Sequence, residues 1–309
     1  MVDDMAAQRP QVLIAIDFQE FNQRLARKAR ALGIPVVFFI APQVWAWRPR
    51  RVRKAPQYAD HIATLFAFEK PLFAPYVRTT HVGHPLVDNI AQFLSEHHNT
   101  PQKDQIGLLP GSRYSEIKRL LPVFLKTAHR LWQTDNSRHF VLPKAENIDA
   151  QWFSALVDQY LPDPAFKSAV CIYHGQSRLV MQQSRLLLIA SGTATLEAGL
   201  IGTPMIIGYK TSALTYAIGK LMIKTQHIGL PNIISQREIV PELIQNQLTV
   251  SELTQAAEVL LTDETAYLQQ KKNLAALEKQ LGEPGAIKRL AGLINDYLRQ
   301  PRLTGGQSD

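Results

Sequence analysis

Short apolar segments rich in β-branched residues recur along the chain, and most of them lead through a turn into a longer stretch with helical periodicity. This alternation predicts an α/β fold, because a crossover helix returns the chain to the next parallel strand. Strands are predicted at residues 12–16, 35–40, 61–65, 106–109, 139–142, 169–173, 186–189 and 205–207. Helical stretches are predicted at residues 20–32, 115–133 and 195–200, and a helical pattern continues from residue 248 to residue 298.

The length of 309 residues predicts two domains, each large enough to bury its own core. A polar, turn-rich stretch at residues 93–103 is the predicted linker. A short helical segment at residues 2–8 leads directly into the first strand, whereas a doubly wound domain opens with a strand and a phosphate-facing loop. We therefore expect an incomplete N-terminal domain at 1–98, a second domain at 99–275, C-terminal helices at 276–298 and a tail at 299–309.

Composition excludes several classes of protein. No stretch reaches the roughly 18 apolar residues that a membrane span needs, and the acidic start MVDD is unlike a signal peptide. A cytoplasmic location is therefore expected. Cys171 is the only cysteine, which excludes an internal disulfide and every multi-cysteine metal site. We expect its side chain to be buried, and we expect no metal and no cofactor.

The net charge is +8, from 34 basic and 26 acidic residues, and part of the basic excess is concentrated. Residues 48–54 hold five arginines and lysines and directly follow Trp45 and Trp47. Aromatic rings beside basic residues suit an anionic membrane surface, phosphates or nucleic acid. A solvated basic helix start explains the cluster equally well. No nucleic-acid recognition motif is present, so we expect no nucleic-acid partner.

Two strand-to-helix turns carry residues that suit a phosphate. The first is LPGSR at residues 109–113, and the second is SGTATLE at residues 191–197. Free backbone amides at a helix start attract an anion, and Arg113 can clamp a phosphate. The alternative for the first turn is an ordinary helix start with Ser112 as N-cap. In the second, Glu197 either accepts from ribose hydroxyls or complements the helix dipole.

Two further positions carry candidate chemistry. Asp17 ends the first predicted strand, where a carboxylate can act as general base or can cap the next helix. His81 and His84 stand three residues apart, but the neighbouring glycine and proline make a metal site improbable. We expect that segment to form a hinge or a crevice wall.

Together these motifs closely resemble the lipid-A-disaccharide synthase family, in the family's order, from about residue 10 to residue 245. The matching segments are PQVWAWR at 42–48, AFEK at 67–70, VGHP at 82–85, LPGSR at 109–113 with Glu116, SGTATLE at 191–197, and LPNII at 230–234 with Arg237 and Glu238. The tryptophan-containing block and the LPN block are far more specific than a glycine-rich turn.

The resemblance implies a GT-B glycosyltransferase, with two Rossmann-like domains of parallel sheet facing across a cleft and the nucleotide in the C-terminal one. The family transfers 2,3-diacylglucosamine from UDP-2,3-diacylglucosamine to 2,3-diacylglucosamine 1-phosphate with inversion, and forms a β-1,6 disaccharide and UDP. The resemblance also implies peripheral contact with the anionic cytoplasmic face of the inner membrane, and a homodimer.

The resemblance assigns roles to individual residues. Asp17 matches a strand-end aspartate of the family and is the candidate base, and Arg113 is the second candidate catalytic residue. The donor-binding candidates are Gly111, Ser112, Ser191, Gly192, Thr193, Thr195, Glu197, Asn232 and Arg237. The candidates for contact with the membrane and the acceptor are Trp45, Trp47, Arg48 and Arg51.

Two departures from the family pattern matter. Gln19 stands where the family usually has proline, and the family's opening strand–loop–helix, with its Gly-Glu-x-Ser-Gly-Asp stretch, is missing before residue 12. Two alternatives therefore remain open. One is a truncated, non-catalytic relative that binds a nucleotide sugar or a membrane. The other is a different UDP-sugar enzyme, such as a UDP-N-acetylglucosamine 2-epimerase.

Overall fold

The computed structural model describes residues 1–47, 49–161, 163–212 and 227–299, with the backbone alone for residues 46, 47 and 49. Every strand pairing in this part of the chain is parallel, and the strands form one sheet of four and one of six. The strands are β1 (Leu13–Ile16), β2 (Val36–Phe39), β3 (His61–Thr64), β4 (Arg78–His81), β5 (Gln105–Leu109), β6 (His139–Lys144), β7 (Val170–His174), β8 (Leu186–Ala190), β9 (Met205–Tyr209) and β10 (Glu242–Ile244).

Helices connect these strands. The α-helices are α1 (Val2–Gln8), α2 (Gln19–Ala31), α3 (Val44–Trp47), α4 (Lys70–Phe73), α5 (Pro85–Glu96), α6 (Tyr114–Thr134), α7 (Ala150–Asp158), α8 (Pro164–Ser168), α9 (Ser177–Gln183), α10 (Thr193–Ile201), α11 (Leu230–Ser235), α12 (Val250–Thr262), α13 (Glu264–Leu281) and α14 (Ala286–Arg299). Short 3₁₀ helices are Pro49–Gln57, Ala67–Glu69 and Gln245–Gln247. Among the described residues, no helix is both long enough and apolar enough to cross a membrane.

The described chain divides into two compact units. The first unit comprises residues 1–89 and 280–299, and its sheet has the order β1-β2-β3-β4. All four side chains of β2 are buried. Helix α2 turns Leu25, Ala26 and Ala29 into the core. A strand that is buried over its whole length needs cover on both faces, which explains why the helical crossovers accompany this sheet.

The second unit comprises the described residues between 90 and 279, and its sheet has the order β10-β9-β8-β5-β6-β7. Strand β8 is apolar and buried at all five positions, and α6 buries eight side chains in the main core. The chain builds β5, β6 and β7 outward in one direction and then returns to place β8 on the other side of β5. The point between β5 and β8 is therefore the topological switch point, where open α/β sheets bind ligands.

The predicted α/β class with two parallel sheets is confirmed, and all eight predicted strands are present. The sequence did not indicate β4 and β10, which are edge strands. Strand β4 reads RTTH, and edge strands lack the continuous apolar run by which an interior strand is recognised. The predicted linker was too long at its start, because α5 continues to Glu96. The domain boundaries predicted from the sequence, after residues 98 and 275, remain a prediction.

The expected burial of Cys171 is wrong. Cys171 lies on the edge strand β7 and its side chain is exposed. A small apolar residue is buried only where a second layer covers its face of the sheet, and the sequence around Cys171 does not state which face is covered.

The C-terminal helix α14 belongs to the first unit and packs against the VGHP segment. The Arg289 guanidinium donates from Nε to the carbonyl of Val82 at 2.8 Å. Gly83 has φ +86°, and a Cβ at this position would lie 2.8 Å from Arg289 Nη2. Glycine is required here because the backbone is left-handed and the arginine passes so close to it.

Helix α14 is capped by a residue of another helix. The Asp88 carboxylate of α5 accepts hydrogen bonds from the backbone amides of Gly285 and Ala286, the latter at 3.1 Å. A carboxylate at this place satisfies amides that the helix itself leaves unpaired and complements the helix dipole. The position of α14 on the first unit is thus set by specific polar contacts as well as by burial.

Candidate active site

A cavity of 560 Å³ lies at the carboxyl edge of the six-stranded sheet, at the switch point. Its lining comes from the segments that follow four successive strands of the sheet. These segments are residues 111–113 after β5, 143–146 at the end of β6 and directly after it, 175–177 after β7 and 191–194 after β8. The structure therefore brings the two phosphate-type turns predicted from the sequence to one cavity.

The first turn presents the start of α6 to this cavity. The N-cap is Arg113 in an extended conformation, and no side chain caps the helix, so the alternative of Ser112 as N-cap is not what the structure shows. Gly111 has φ +109°, and a Cβ there would lie 2.6 Å from Glu116 Oε2. Because no side chain blocks them, the first amides of α6 remain available to an anion.

The second turn presents the start of α10, where Gly192 is the N-cap and no side chain caps the helix. The hydroxyl of Thr195 donates to the Gly192 carbonyl at 2.7 Å, and the hydroxyl of Ser191 donates to the Ile228 carbonyl at 3.3 Å. These two hydroxyls shape the turn. Gly192 and Thr193 are exposed and line the cavity.

Arg113 stands at the cavity with an exposed side chain. Its Nη1 donates to Glu116 Oε1 at 3.1 Å, and both residues line the cavity. An ion pair this exposed is worth little. An anionic ligand can therefore draw the guanidinium away from Glu116 at small cost.

Two cavity-loop residues were missed by the sequence analysis. The buried Lys144 donates from Nζ to the carbonyls of Ala145 and Ile148, at 3.0 and 2.7 Å. Asn147 donates to the Ser112 carbonyl at 2.9 Å. The two Lys144 bonds fix the loop after β6, and the Asn147 bond holds that loop against the turn after β5. The available signal was a lysine that directly continues a buried apolar strand.

Four predicted donor-binding residues lie outside the cavity lining. One is Thr195, whose side chain is buried. The other three are Glu197, Arg237 and Asn232. The Glu197 carboxylate accepts from Arg178 Nη2 at 2.8 Å. Arg237 is exposed and donates to Asn273 at 3.0 Å. The third residue, Asn232, is fully buried. The structure does not bring these side chains to the cavity, although Glu197 lies on the helix that starts there.

The Asn232 side chain is saturated with hydrogen bonds. Its Nδ2 donates to the Val240 carbonyl and to Glu242, at 2.8 and 2.7 Å. Its Oδ1 accepts from the amides of Ile239 and Val240, at 2.7 and 3.0 Å. A side-chain amide has two N–H donors and one oxygen with two lone pairs, and all of these are used here. Asn232 therefore builds the local fold of the LPN segment.

Glu242 extends this network towards the cavity. Its carboxylate also accepts from the amides of Ile228 and Gly229, at 2.8 and 3.0 Å. The Ile228 carbonyl is the acceptor for the Ser191 hydroxyl. A chain of hydrogen bonds thus joins the LPN segment to the turn that starts α10, and the sequence motif did not include Glu242.

In the first unit, Asp17 lies at the carboxyl end of β1 with an exposed side chain. Its φ is +50° and that of Phe18 is +37°, so two successive non-glycine residues are left-handed. Such strain is concentrated at functional sites. Phe18, and not Asp17, is the N-cap of α2. Among the described residues the Asp17 carboxylate has no hydrogen-bond partner, so the capping alternative is wrong.

Trp45 points to the interior of the first unit. Its indole Nε1 donates to Glu69 Oε1 at 3.0 Å, and its ring packs edge-on against Phe68 at 5.3 Å. Glu69 is 1% exposed and also accepts from the Phe66 amide at 3.1 Å. Burial raises the pKa of Glu69 to about 7, although the bonds from Trp45 and Phe66 lower it.

The other candidates for membrane contact differ in what can be described. Arg48 lies outside the described residues, and only the backbone of Trp47 is described. Arg51 is exposed and lines a groove of the first unit beside α2. Among the described residues, Arg51 forms no ion pair with a carboxylate.

The two histidines are engaged in local hydrogen bonds. His81 Nε2 lies 3.1 Å from the Leu65 carbonyl, and His84 Nδ1 accepts from the Leu86 amide at 3.1 Å. Burial lowers the pKa of both side chains. In the part of the chain that is described, no group of three or more His, Cys, Asp or Glu side chains could hold a metal ion.

Two units of parallel sheet, one of them with a cavity at its switch point, are the architecture of the GT-B fold. Solved structures with this fold include Staphylococcus aureus MnaA with UDP, which matches with a TM-score of 0.61 at 13% identity. The match covers 100% of this chain and 81% of the MnaA chain. A glycosyltransferase from Rickettsia africae matches with a TM-score of 0.57 at 9% identity, over 97% of this chain and 80% of that glycosyltransferase. The chain belongs to the lipid-A-disaccharide synthetase family, whose model matches residues 1–291. It is therefore a glycosyltransferase.

Curated relatives agree with this membership. The lipid-A-disaccharide synthase of Sulfurihydrogenibium sp. is 38% identical over 311 residues, which cover 94% of this chain and 78% of that protein. The synthase of Persephonella marina is 38% identical over 295 residues, which cover 92% and 77%. The resemblance drawn from the sequence motifs is confirmed. The epimerase alternative shares only the fold, since the UDP-GlcNAc 2-epimerase of Neisseria meningitidis is 14% identical with a TM-score of 0.55.

Proposed function

We propose that this chain transfers 2,3-diacylglucosamine from UDP-2,3-diacylglucosamine to the 6-hydroxyl of 2,3-diacylglucosamine 1-phosphate, forming a β-1,6 disaccharide and UDP. One observation carries the proposal. Two helix starts without side-chain caps, at α6 and α10, line one cavity at the switch point of the second unit. Family membership supports the choice of donor and acceptor.

On the donor side, the diphosphate lies between the starts of α6 and α10. Backbone amides after Gly111 and Gly192 donate to its oxygens, and Arg113 leaves Glu116 to pair with it. As the bond from the anomeric carbon to the diphosphate breaks, negative charge grows on the leaving oxygen. Preorganised amides and a guanidinium stabilise that charge more strongly than they stabilise the ground state.

On the acceptor side, Asp17 removes the proton of the 6-hydroxyl while the oxygen of that hydroxyl attacks the anomeric carbon. The new bond forms as the bond to UDP breaks, and the proton remains on Asp17. The exposed, unpartnered carboxylate and the left-handed backbone of Asp17 support this role. General-base catalysis contributes about 10²- to 10⁴-fold.

Several residues in this proposal act through the scaffold. Asn232 and Glu242 fix the segment that accepts the Ser191 hydroxyl, and Arg178 fixes Glu197. We assign to Asn232 a positioning role and no direct contact with the donor. This assignment follows from its saturated hydrogen bonds.

The enzyme acts at the cytoplasmic face of the inner membrane, as a peripheral protein. Exposed Ile16, Phe18 and Phe21 lie close in sequence to the candidate base, with Phe18 72% exposed. The basic segment that contains Arg51 is exposed in the same unit. Apolar and basic side chains together suit an acylated acceptor in an anionic bilayer.

Substitution of Arg113 by alanine tests the donor site, with Arg119→Ala as the matched control. Arg119 lies on the same helix, is exposed and does not line the cavity. We expect Arg113→Ala to weaken UDP binding about tenfold, because a charge-assisted contact is lost. We expect Arg119→Ala to bind like the wild type. Equal binding by both variants would contradict the assignment of Arg113.

The reaction itself is tested by UDP release from the diacylated donor in the presence of acceptor. Asp17→Asn is expected to lower kcat by at least about 10²-fold and to leave UDP binding unchanged. UDP binding without acceptor-dependent release by the wild type would contradict transfer and support a binding role alone.

A further inference from the structure

A basic groove of 220 Å³ lies in the first unit between α2 and the 3₁₀ helix Pro49–Gln57. Four cationic side chains line it: Arg24 and Arg27 from α2, and Arg51 and Lys54 from the 3₁₀ helix. Glu20 is the acidic side chain among the described residues of the lining. Two elements that are distant in sequence therefore converge to give the groove a net charge of +3.

The cations of the basic groove are not used to hold the fold. No carboxylate among the described residues forms an ion pair with Arg24, Arg27, Arg51 or Lys54. In contrast, Arg30 on the next turn of α2 is paired with Asp60 at 2.8 Å. Four unpaired positive charges around one small volume repel one another unless an anion lies between them.

Tyr58 supplies a neutral donor at the same place. Its side chain is 2% exposed and lines the basic groove, and its hydroxyl has no hydrogen-bond partner among the described residues. Burial raises the pKa of Tyr58 to about 12, against the effect of Arg27, so the hydroxyl keeps its proton. The Tyr58 hydroxyl therefore offers a neutral donor at the cationic groove, where it can donate to a phosphate oxygen.

Apolar side chains adjoin the basic groove along α2. Phe18 and Phe21 are exposed with their rings 6.0 Å apart, and Arg24 and Arg27 follow at the same spacing of three residues. Each of these residues neighbours the next on the helix surface, because residues three apart are adjacent. The helix thus offers an apolar surface next to a cationic one, beside Asp17.

We propose that the basic groove binds a phosphomonoester carried by an acylated molecule, and that Arg24, Arg27, Arg51, Lys54 and Tyr58 hold the phosphate. A phosphomonoester carries a charge of about −1.5 to −2 at pH 7, which matches the net charge of the groove better than a singly charged phosphodiester does. Guanidinium groups pair with phosphate oxygens bidentately. The inference rests on the proposed function, whose acceptor carries a phosphomonoester on an acylated sugar.

The test compares vesicle binding of two double variants of the full chain. Arg27→Gln/Arg51→Gln removes two groove charges. Lys28→Gln/Arg53→Gln removes two exposed charges from the same two helices, and neither of these side chains lines the groove. Phosphatidylcholine vesicles contain either phosphatidic acid, a phosphomonoester, or phosphatidylglycerol, a phosphodiester, at matched surface charge.

We expect the wild type and the control variant to prefer phosphatidic acid, and the groove variant to lose about tenfold in affinity for it. Equal losses by both double variants, or no preference by the wild type, would overturn the proposal, because membrane electrostatics would then explain all binding. Tyr58→Phe removes only a hydroxyl. It is expected to reduce the preference without lowering the melting temperature.

Competition identifies the source of the phosphate. Release of the wild type from phosphatidic acid vesicles by glucosamine 1-phosphate, but not by glucosamine, assigns the groove to a sugar phosphate. Retention with the same preference assigns it to a lipid phosphate. UDP binding is measured in parallel, because it reports on the second unit. Absence of UDP binding by the wild type would contradict the proposed function alone, and absence of a phosphatidic acid preference in the wild type would contradict the groove proposal alone.

Discussion

Glu69 shows how a single buried carboxyl group can set the position of an aromatic side chain. It accepts one hydrogen bond from the Trp45 indole and one from the Phe66 amide while it is 1% exposed. The AFEK segment was recognised in the sequence only as part of a motif. The structure gives it a physical role, because an indole N–H inside a protein needs an acceptor.

The stability of the first unit is expected to fall as the pH rises. The pKa of Glu69 is raised from its ordinary 4.5 to about 7 in the folded chain. The folded state therefore holds a proton that the unfolded state has lost between these values, and ∂ΔG/∂pH of unfolding is negative there. The contribution is complete below pH 4.5 and is lost as the pH rises through 7, by roughly 3 kcal/mol over the interval.

Thermal melting of the wild type and of Glu69→Gln at pH 5 and pH 8 measures this contribution. We expect the wild type to lose more stability between these pH values than Glu69→Gln, which cannot titrate at this position. Glu283→Gln changes an exposed carboxylate of the same unit and should behave like the wild type. Identical pH profiles for all three proteins would exclude Glu69 as the titrating group.

Asn232 marks a limit of motif reasoning at this scale. The LPN segment indicated a functional residue, and a motif does not distinguish a side chain that contacts a ligand from one that builds the loop beside it. Only its four hydrogen bonds, to residues 239, 240 and 242, make that distinction. Those partners are determined by how the loop returns to β10, which no local sequence signal describes.

At the scale of elements, helix α14 is attached to the first unit by contacts that can be removed one at a time. Asp88 caps its first turn, and Arg289 binds the Val82 carbonyl. Gly83 allows the close approach. The VGHP motif is therefore explained in part by the packing of a helix about 200 residues away in sequence. Its role as a hinge or crevice wall stays a prediction.

Asp88→Ala is expected to destabilise the first unit by about 1–2 kcal/mol, because two amides at the start of α14 lose their acceptor. Hydrogen exchange should accelerate in residues 285–290 and remain unchanged in α6. The control is Asp296→Ala, an exposed position on the same helix. Equal exchange in Asp88→Ala and the wild type would show that solvent replaces the cap without cost.

The elements that the sequence predicted are those with a strong local signal. Strand β8, with the sequence LLLIA, is recognisable because both of its faces are buried. Edge strands β4 and β10 are polar or short, and exposed Cys171 shows that the sequence does not reveal which face of an edge strand is covered. The two turns that line the cavity at the switch point were recognised because they carry glycine and hydroxyl residues. The basic groove was only half predicted, since Arg24 and Arg27 come from a different helix than Arg51.

At the scale of the whole molecule, the two units differ in how they use the chain. The second unit takes its described residues from between residues 90 and 279 and contains two of the hydrophobic clusters. The first unit needs both the stretch 1–89 and the stretch 280–299. A unit with its own hydrophobic core meets the usual condition for independent folding.

Residues 90–279 expressed alone are therefore expected to fold and to bind UDP within about threefold of the full chain. Residues 1–89 alone lack α14 and are expected to remain unfolded. Circular dichroism and calorimetric titration with UDP check both outcomes. A folded 90–279 fragment that does not bind UDP would contradict the assignment of the donor site to this unit.

The return of the chain to its first unit also affects the order of events on the ribosome. Domains usually complete their folding in the order in which they are synthesised. Here the strands of the first sheet leave the ribosome early, but α14, which binds Val82 and Asp88, is translated after the whole second unit. The unit that is synthesised first is therefore the unit that is completed last.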